Sequence, residues 1–336
     1  MPQSLSSLPV GALVKDTGTT YNNNPIVWRV LEHGHSGDPS GSTALEARDI
    51  ISVKAFDAKE PSNSNSNRQS YGNNRYLHSN LLQWLNSDAA ANSWYTAQHA
   101  ADQAPTTKDT HVSYNPYTAE KGFLQNFSTE LQNALMTVNK VTAKNTVTDG
   151  GGYETVSSKV FLLSTTEVGL ANENNVAEGS IYAYYSADNQ DSRRVKKPTA
   201  ECVSNSEYQT SSFNTGAGWT WWLRTPTSGL SYYVRYVSAD GSLGYGSAYN
   251  GLVGLAPAFC IPSTTEVSTT TDSDGCYIMW PEPNTRHVTV DGLIDILGDL
   301  QTKADARFSG GGGGADVPLS VDNQGRLCIT YEVEDE

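Results

Sequence analysis

Gly218-Trp-Thr-Trp-Trp-Leu-Arg-Thr-Pro226, Tyr233-Val-Arg-Tyr-Val-Ser-Ala-Asp-Gly-Ser-Leu243 and Gly251-Leu-Val-Gly-Leu-Ala-Pro-Ala-Phe-Cys-Ile261 form one nearly continuous β-rich stretch. Strands are expected at Trp219–Leu223, Leu230–Val237, Ser242–Tyr245 and Ala258–Ile261, because aromatic and β-branched residues recur there between Gly, Pro and Asn. Asp240-Gly241 is the signature of a tight hairpin turn. Strand alternation then predicts Tyr232, Val234 and Tyr236 on one face, and Tyr233, Arg235 and Val237 on the other.

Working outward, Ala12–Lys15 and Ile26–Leu31 read as strands around a turn-rich segment, 16–25. Asp49–Phe56 is a further strand candidate, and 57–72 reads as a Ser/Asn-rich loop. Leu77, Leu81, Trp84 and Leu85 share one helical face, with Asn73 or Asn74 as cap. A second helix is expected over 119–138 from Phe123, Phe127, Leu131, Ala134, Leu135 and Val138. Residues 100–118 and 171–215 read as irregular, the latter with a basic cluster at Arg193, Arg194, Lys196 and Lys197. Lys159–Leu163 is a buried strand, followed by the capping box Ser164-Thr-Thr-Glu167. After Ser263–Asp274, a Thr/Ser linker, Val290, Leu293, Leu297, Leu300 and Ala304 make an a/d seam over two heptads. So short a helix is marginal alone, so an oligomer is expected. Gly310–Gly314 is a hinge, and Val317–Val321 with Leu327–Tyr331 a terminal hairpin. Domains are therefore expected at 1–262 (ligand binding), 263–289 (linker), 290–309 (oligomerising helix) and 310–336 (hinge and tail).

With Lys+Arg 22 against Asp+Glu 36, the net charge of the 336-residue chain is −14. That sign repels phosphate backbones and anionic lipid, which argues against a nucleic-acid or membrane-surface role. The start carries no basic n-region, and no apolar run is long enough to cross a bilayer, so neither a signal peptide nor membrane insertion is expected. Cys202, Cys260, Cys276 and Cys328 form no CxxC pair. A Cys202–Cys260 bridge is conceivable, but buried free thiols are the commoner reading.

Catalytic motifs are lacking: there is no GxSxG, HExxH, P-loop or dinucleotide fingerprint. His33 and His35, in Glu32-His-Gly-His-Ser-Gly-Asp38, could ligate zinc or copper but read more simply as a solvated turn. Asp188, Asp191 and Asp240 lie in loops without calcium-loop spacing. No cofactor, metal or catalytic residue is assigned. What stands out is Tyr232, Tyr233, Arg235, Tyr236, Ser238, Tyr245, Ser247, Tyr249 and Asn250, a Tyr/Ser/Gly/Asn mixture that suits a recognition surface as well as a sheet covering. This is the candidate ligand-binding set.

The three quoted segments, together with Ile26-Val-Trp-Arg-Val-Leu31, Asn74-Arg-Tyr76, Leu81-Leu-Gln-Trp-Leu-Asn86 and Val160-Phe-Leu-Leu-Ser164, resemble a family of uncharacterised domains found in Gram-positive gut bacteria and their phages. The resemblance covers roughly residues 8–262. Leu255 stands where that family usually has Arg. It implies an α+β, C-type-lectin-like fold of the formylglycine-generating-enzyme type, with two helices and a twisted antiparallel sheet. In this chain a short helical stalk and a terminal β-hairpin would follow. It also implies a ligand-displaying module, in some members a target of diversity-generating retroelements, with binding residues at about Tyr232–Asn250. The cysteine pair of the enzyme branch is not visible as a motif, so its oxidase chemistry is not carried over. The expectation is a non-enzymatic phage virion adhesin, of tail or capsid surface, assembled in the host cytoplasm. Its partners would be a host-surface glycan or protein, other virion proteins and copies of itself, a trimer being expected. The alternatives are a structural virion component, or an enzyme using Cys202, Cys260 or the His33/His35 loop with a metal.

Overall fold

A computed structural model describes residues 2–111, 114–186 and 190–281, and two short strands beyond them. The chain divides into two compact units, Met1–Trp280 and Pro281–Glu336. The first unit is mixed α+β, built mostly of sheet with a few short helices.

Its six-stranded sheet runs in the order Tyr277–Ile278, Leu13–Tyr21, Asn24–His33, Ser42–Ala47, Ala258–Pro262, Val160–Phe161. Only the Tyr277–Ile278 strand is parallel to its neighbour. The turn expected over 16–25 is far tighter than its composition suggests. Tyr21 pairs with Asn24, and Asn22 (φ 51°) and Asn23 (φ 66°) make the whole turn. Two left-handed residues in succession match the twist of a hairpin, and Asn tolerates that region. Ser42–Ala47 is buried along its whole length, and the sequence reading did not place it.

A five-stranded sheet has the order Leu243–Ser247, Tyr233–Val237, Trp221–Pro226, Gly254–Leu255, Ser52–Val53. Its centre, Trp221–Pro226, is buried at every residue. Trp221 and Trp222 send their indole N–H groups to the carbonyls of Arg194 and Lys54, each 2.9 Å away. Both rings are thus buried without leaving a donor unsatisfied. Within the first unit a separate hairpin, Val138–Ala143 with Tyr153–Ser158, uses the Asp149–Gly152 break as its connection.

Both predicted helices are shorter than expected. A 3-10 turn at Tyr76–His78 precedes the helix Asn80–Leu85, whose cap is Ser79, not Asn73 or Asn74. The 119–138 segment holds a 3-10 turn, Phe123–Asn126, and a helix, Thr129–Ala134. Ser128 separates them: its Oγ accepts from the Leu131 N–H, and its own N–H donates to Thr19 Oγ1. Two short pieces meet the apolar spacing as well as one long helix does, and Val138 already belongs to a strand. The core they cover holds Trp28, edge-on to Phe259 and Phe127 at 4.6 and 6.0 Å.

Residues 263–280, read as linker, belong to the first unit. Glu266–Val267 pairs with Gln3–Ser4, and Tyr277–Ile278 closes the edge of the large sheet. In the second unit Leu319–Val321 pairs antiparallel with Leu327–Ile329, as expected for the terminal hairpin. The seam of Val290, Leu293, Leu297, Leu300 and Ala304 and the glycine hinge lie outside the described residues. Among the described residues no helix is long and apolar enough to cross a membrane.

Candidate functional site: a tyrosine strip

The strip begins with the helix Ser66–Tyr71, inside the segment read as a loop. Asn65 caps it, its Oδ1 accepting from the N–H groups of Asn67 and Arg68 and from the Ser231 hydroxyl. Arg68 donates from Nε to the Ser231 carbonyl and pairs with Asp149 at 2.7 Å. Gly72 ends the helix at φ +80°, where a Cβ would lie 2.7 Å from the Asp57 carbonyl, so only glycine fits. Tyr71 is thereby fixed beside the tyrosines of the 230s. Its carbonyl accepts from Tyr249 N–H at 3.0 Å, and Ala248 N–H donates to the Tyr232 carbonyl at 2.9 Å.

The rings follow one another in contact. Centroids are 5.0 Å apart for His111–Tyr249, 5.7 Å for Tyr249–Tyr71 and 4.9 Å for Tyr71–Tyr232. Tyr232–Tyr233 follows at 4.3 Å and Tyr233–Tyr245 at 4.9 Å. Lys59 lies over Tyr249 and Arg235 over Tyr245, so a cation stands near each end. Arg235 is held from behind by Glu173. Tyr245 is 53% exposed and Tyr71 38%. Burial and the adjacent Tyr233 hydroxyl push Tyr232 up to about 12, so it stays a neutral donor at physiological pH. Burial lowers His111, which therefore meets Tyr249 OH, 2.9 Å away, as a neutral ring.

Tyr236 and Ser238 do not join the strip. Tyr236 lies on the other face of the hairpin, against Trp222 and over Gly244 and Gly246. A Cβ on Gly244 would sit 2.1 Å from its ring, which explains the alternation in Gly244-Tyr-Gly246: small inward, aromatic outward. Ser238 closes the hairpin turn, its N–H donating to the Ser242 carbonyl. Asn250 shapes the next turn by accepting from Leu252 N–H, and Ser247 pairs with Tyr233 across the hairpin. Val234 and Val237, expected on opposite faces, are both buried. The far end of the hairpin is covered as well, by the segment whose Arg194 donates to the Gly241 carbonyl.

Tyr71 and His111 are the strip residues that sequence reasoning missed. Asn65 and Gly72 bracket a helix in cap language, but nothing local reports that its end lies beside Tyr232. Two clefts of about 520 and 480 Å³ flank Tyr21, and no strip residue lines either.

The other candidates have structural partners. His33 bonds Thr43 Oγ1 and the Leu8 carbonyl, each at 2.8 Å, which leaves neither nitrogen for a metal. Asp188 lies outside the described residues. Asp191 pairs with Arg194, and Asp240 accepts from Ser242 in its turn. Cys202, Cys260 and Cys276 are buried free thiols, and burial pushes Cys202 up to about 12. The basic cluster is no exposed patch, since Arg194 and Lys196 are buried and Lys196 reaches Glu46 at 3.0 Å. No group of three or more metal-ligating side chains occurs among the described residues.

The model of one family, a domain of unknown function (DUF6273), matches residues 40–263. The chain belongs to that family. The DUF6273 match starts just before Ser42–Ala47 and ends just after Ala258–Pro262, so it takes in the five-stranded sheet and the whole strip. Comparison with curated proteins and with solved structures finds no match.

Proposed function

We propose that this DUF6273 chain is a binding protein that presents the tyrosine strip to a ligand on a cell surface. The carrying observation is the unbroken succession of six aromatic rings, two of them well exposed, on a face flanked by Lys59 and Arg235. Tyrosine gives large contact area with little side-chain entropy to lose, and each hydroxyl adds a directional hydrogen bond. The lectin-like reading of the fold and a phage virion adhesin as its setting rest on the sequence resemblance. The pairing of Gln3–Ser4 with Glu266–Val267, which brings the two ends of the domain together, suits such a display module. Oligomerisation through residues 290–309, a trimer in this reading, would multiply weak contacts into avidity.

The test compares binding of the full chain to intact Gram-positive cells with that of a variant carrying Tyr71, Tyr232, Tyr233, Tyr245 and Tyr249 changed to Ser. Both must first show the same mass and circular dichroism. Loss of binding in the folded variant is the expected result. Equal binding by both proteins, or none by either, sinks the reading and turns the strip into a contact between subunits.

A further inference from the structure

Three side chains outside the strip form a hydrogen-bonded chain. Glu32 Oε2 lies 2.7 Å from Nδ1 of His35, and Nε2 of the same ring lies 3.1 Å from Ser180 Oγ. Gly34, at φ +65°, turns the backbone so that acid and imidazole, three residues apart, face each other. Ser180 arrives from a segment far away in sequence. Its neighbour Tyr182 stacks on the imidazole at 3.9 Å, and Glu32 Oε2 also accepts from the Ala183 N–H at 2.8 Å. His35 is only 5% exposed, while Ser180 is exposed.

A carboxylate at Nδ1 places a proton on that nitrogen, and in the neutral ring Nε2 is then the acceptor for the Ser180 hydroxyl. A hydroxyl donating to an imidazole that a carboxylate orients is the arrangement of an activated nucleophile. The N–H groups of Ser180 and Ile181, next to the hydroxyl in the chain, donate to no partner among the described residues.

The geometry points to a second function: hydrolysis of carboxylic esters at Ser180. Ser180 and His35 are the catalytic residues and Glu32 the positioning residue. Ser180 Oγ attacks the acyl carbon while its proton passes to His35 Nε2. The C–O bond to the alcohol breaks, and that proton leaves with the alcohol. Water then attacks the acyl-serine, giving up a proton to His35, and the carboxylic acid departs as Ser180 regains its hydrogen. Ala177 and Gly179 beside the nucleophile are small, uncharged and exposed, which favours a short neutral acyl group. Ser180 itself is exposed and lines neither cleft beside Tyr21, which suits an ester displayed on a larger molecule.

The full chain would be treated with a fluorophosphonate probe, the adduct mapped by peptide mass spectrometry, and p-nitrophenyl acetate hydrolysis followed in parallel. Labelling at Ser180 is expected. Ser180→Ala should abolish it and lower hydrolysis by roughly 10²-fold or more. Glu32→Gln should lower kcat with little change in KM, as expected when only the orientation of the base is lost. Ser180 is exposed, so its alanine variant should fold, which circular dichroism checks. No adduct at Ser180, or equal hydrolysis by wild type and Ser180→Ala, would overturn the proposal and leave these residues as a latch holding the segment before Ala183.

Discussion

Arg224 shows what one residue contributes when nothing of it reaches solvent. Its guanidinium meets Glu167 at 2.5 Å and the carbonyls of Val141, Leu162 and Glu178, tying the central strand to the separate hairpin and to the capping-box turn. Glu167, besides closing that box with Ser164, faces Lys140, and the opposing Arg224 and Lys140 charges overcome its burial and lower it to about 2. Arg224→Met leaves Glu167 beside Lys140 alone, and a loss of about 3–5 kcal/mol is expected in denaturant melts. Glu178, in the same network, behaves oppositely: burial outweighs Arg224 and raises it to about 7 from an ordinary 4.5. Its contribution to stability is complete below about pH 4.5 and is lost as pH rises through 7. Glu178→Gln cannot ionise, so its stability relative to wild type should grow between pH 5 and pH 8, by at most about 3 kcal/mol. A difference independent of pH would rule out titration of Glu178 in that window.

At the scale of elements, the hairpin Tyr233–Val237 with Leu243–Ser247 is one-sided by design of its glycines. Gly244→Ala puts a methyl into the Tyr236 ring and should cost about 1–3 kcal/mol, measured by thermal unfolding. Gly246→Ala, whose Cβ would stand 3.2 Å from that ring, should cost less. Asn65→Ala removes the cap of the Ser66–Tyr71 helix, for about 1 kcal/mol, and hydrogen exchange at Asn67 and Arg68 should quicken. The strands of the 218–261 region and the capping box were legible in the sequence because their signals are local: aromatic runs, Asp240-Gly241, Ser164 with Glu167. Strand Ser42–Ala47 was not, since a Glu inside it conceals its burial until Glu46 is seen to accept from the Tyr185 hydroxyl. Of the site, the tyrosines of the hairpin were legible. Tyr71, His111 and the face of Tyr236 depend on register and long-range docking, which periodicity does not carry.

For the whole molecule, the boundary at Trp280 makes a direct expectation. Residues 1–280 contain both large sheets and their core, so this fragment should fold alone and melt in one cooperative transition. A non-cooperative melt would show that the remaining residues complete it. Light scattering tests the proposed oligomer separately: if the full chain assembles through the 290–304 seam, removal of 281–336 should leave a monomer, and an unchanged mass would count against that seam.

Gln3 pairs with Val267, and Met279 bridges the same residue from its other side. Entry and exit of the first unit are therefore only about two strand spacings, roughly 10 Å, apart. A domain with such adjoining ends can be spliced into a surface turn of a host protein without prising the host open, or have its ends joined and a new break made at Gly150–Gly152. Architectures of that kind need no change inside the fold, so it is transferable as a cassette.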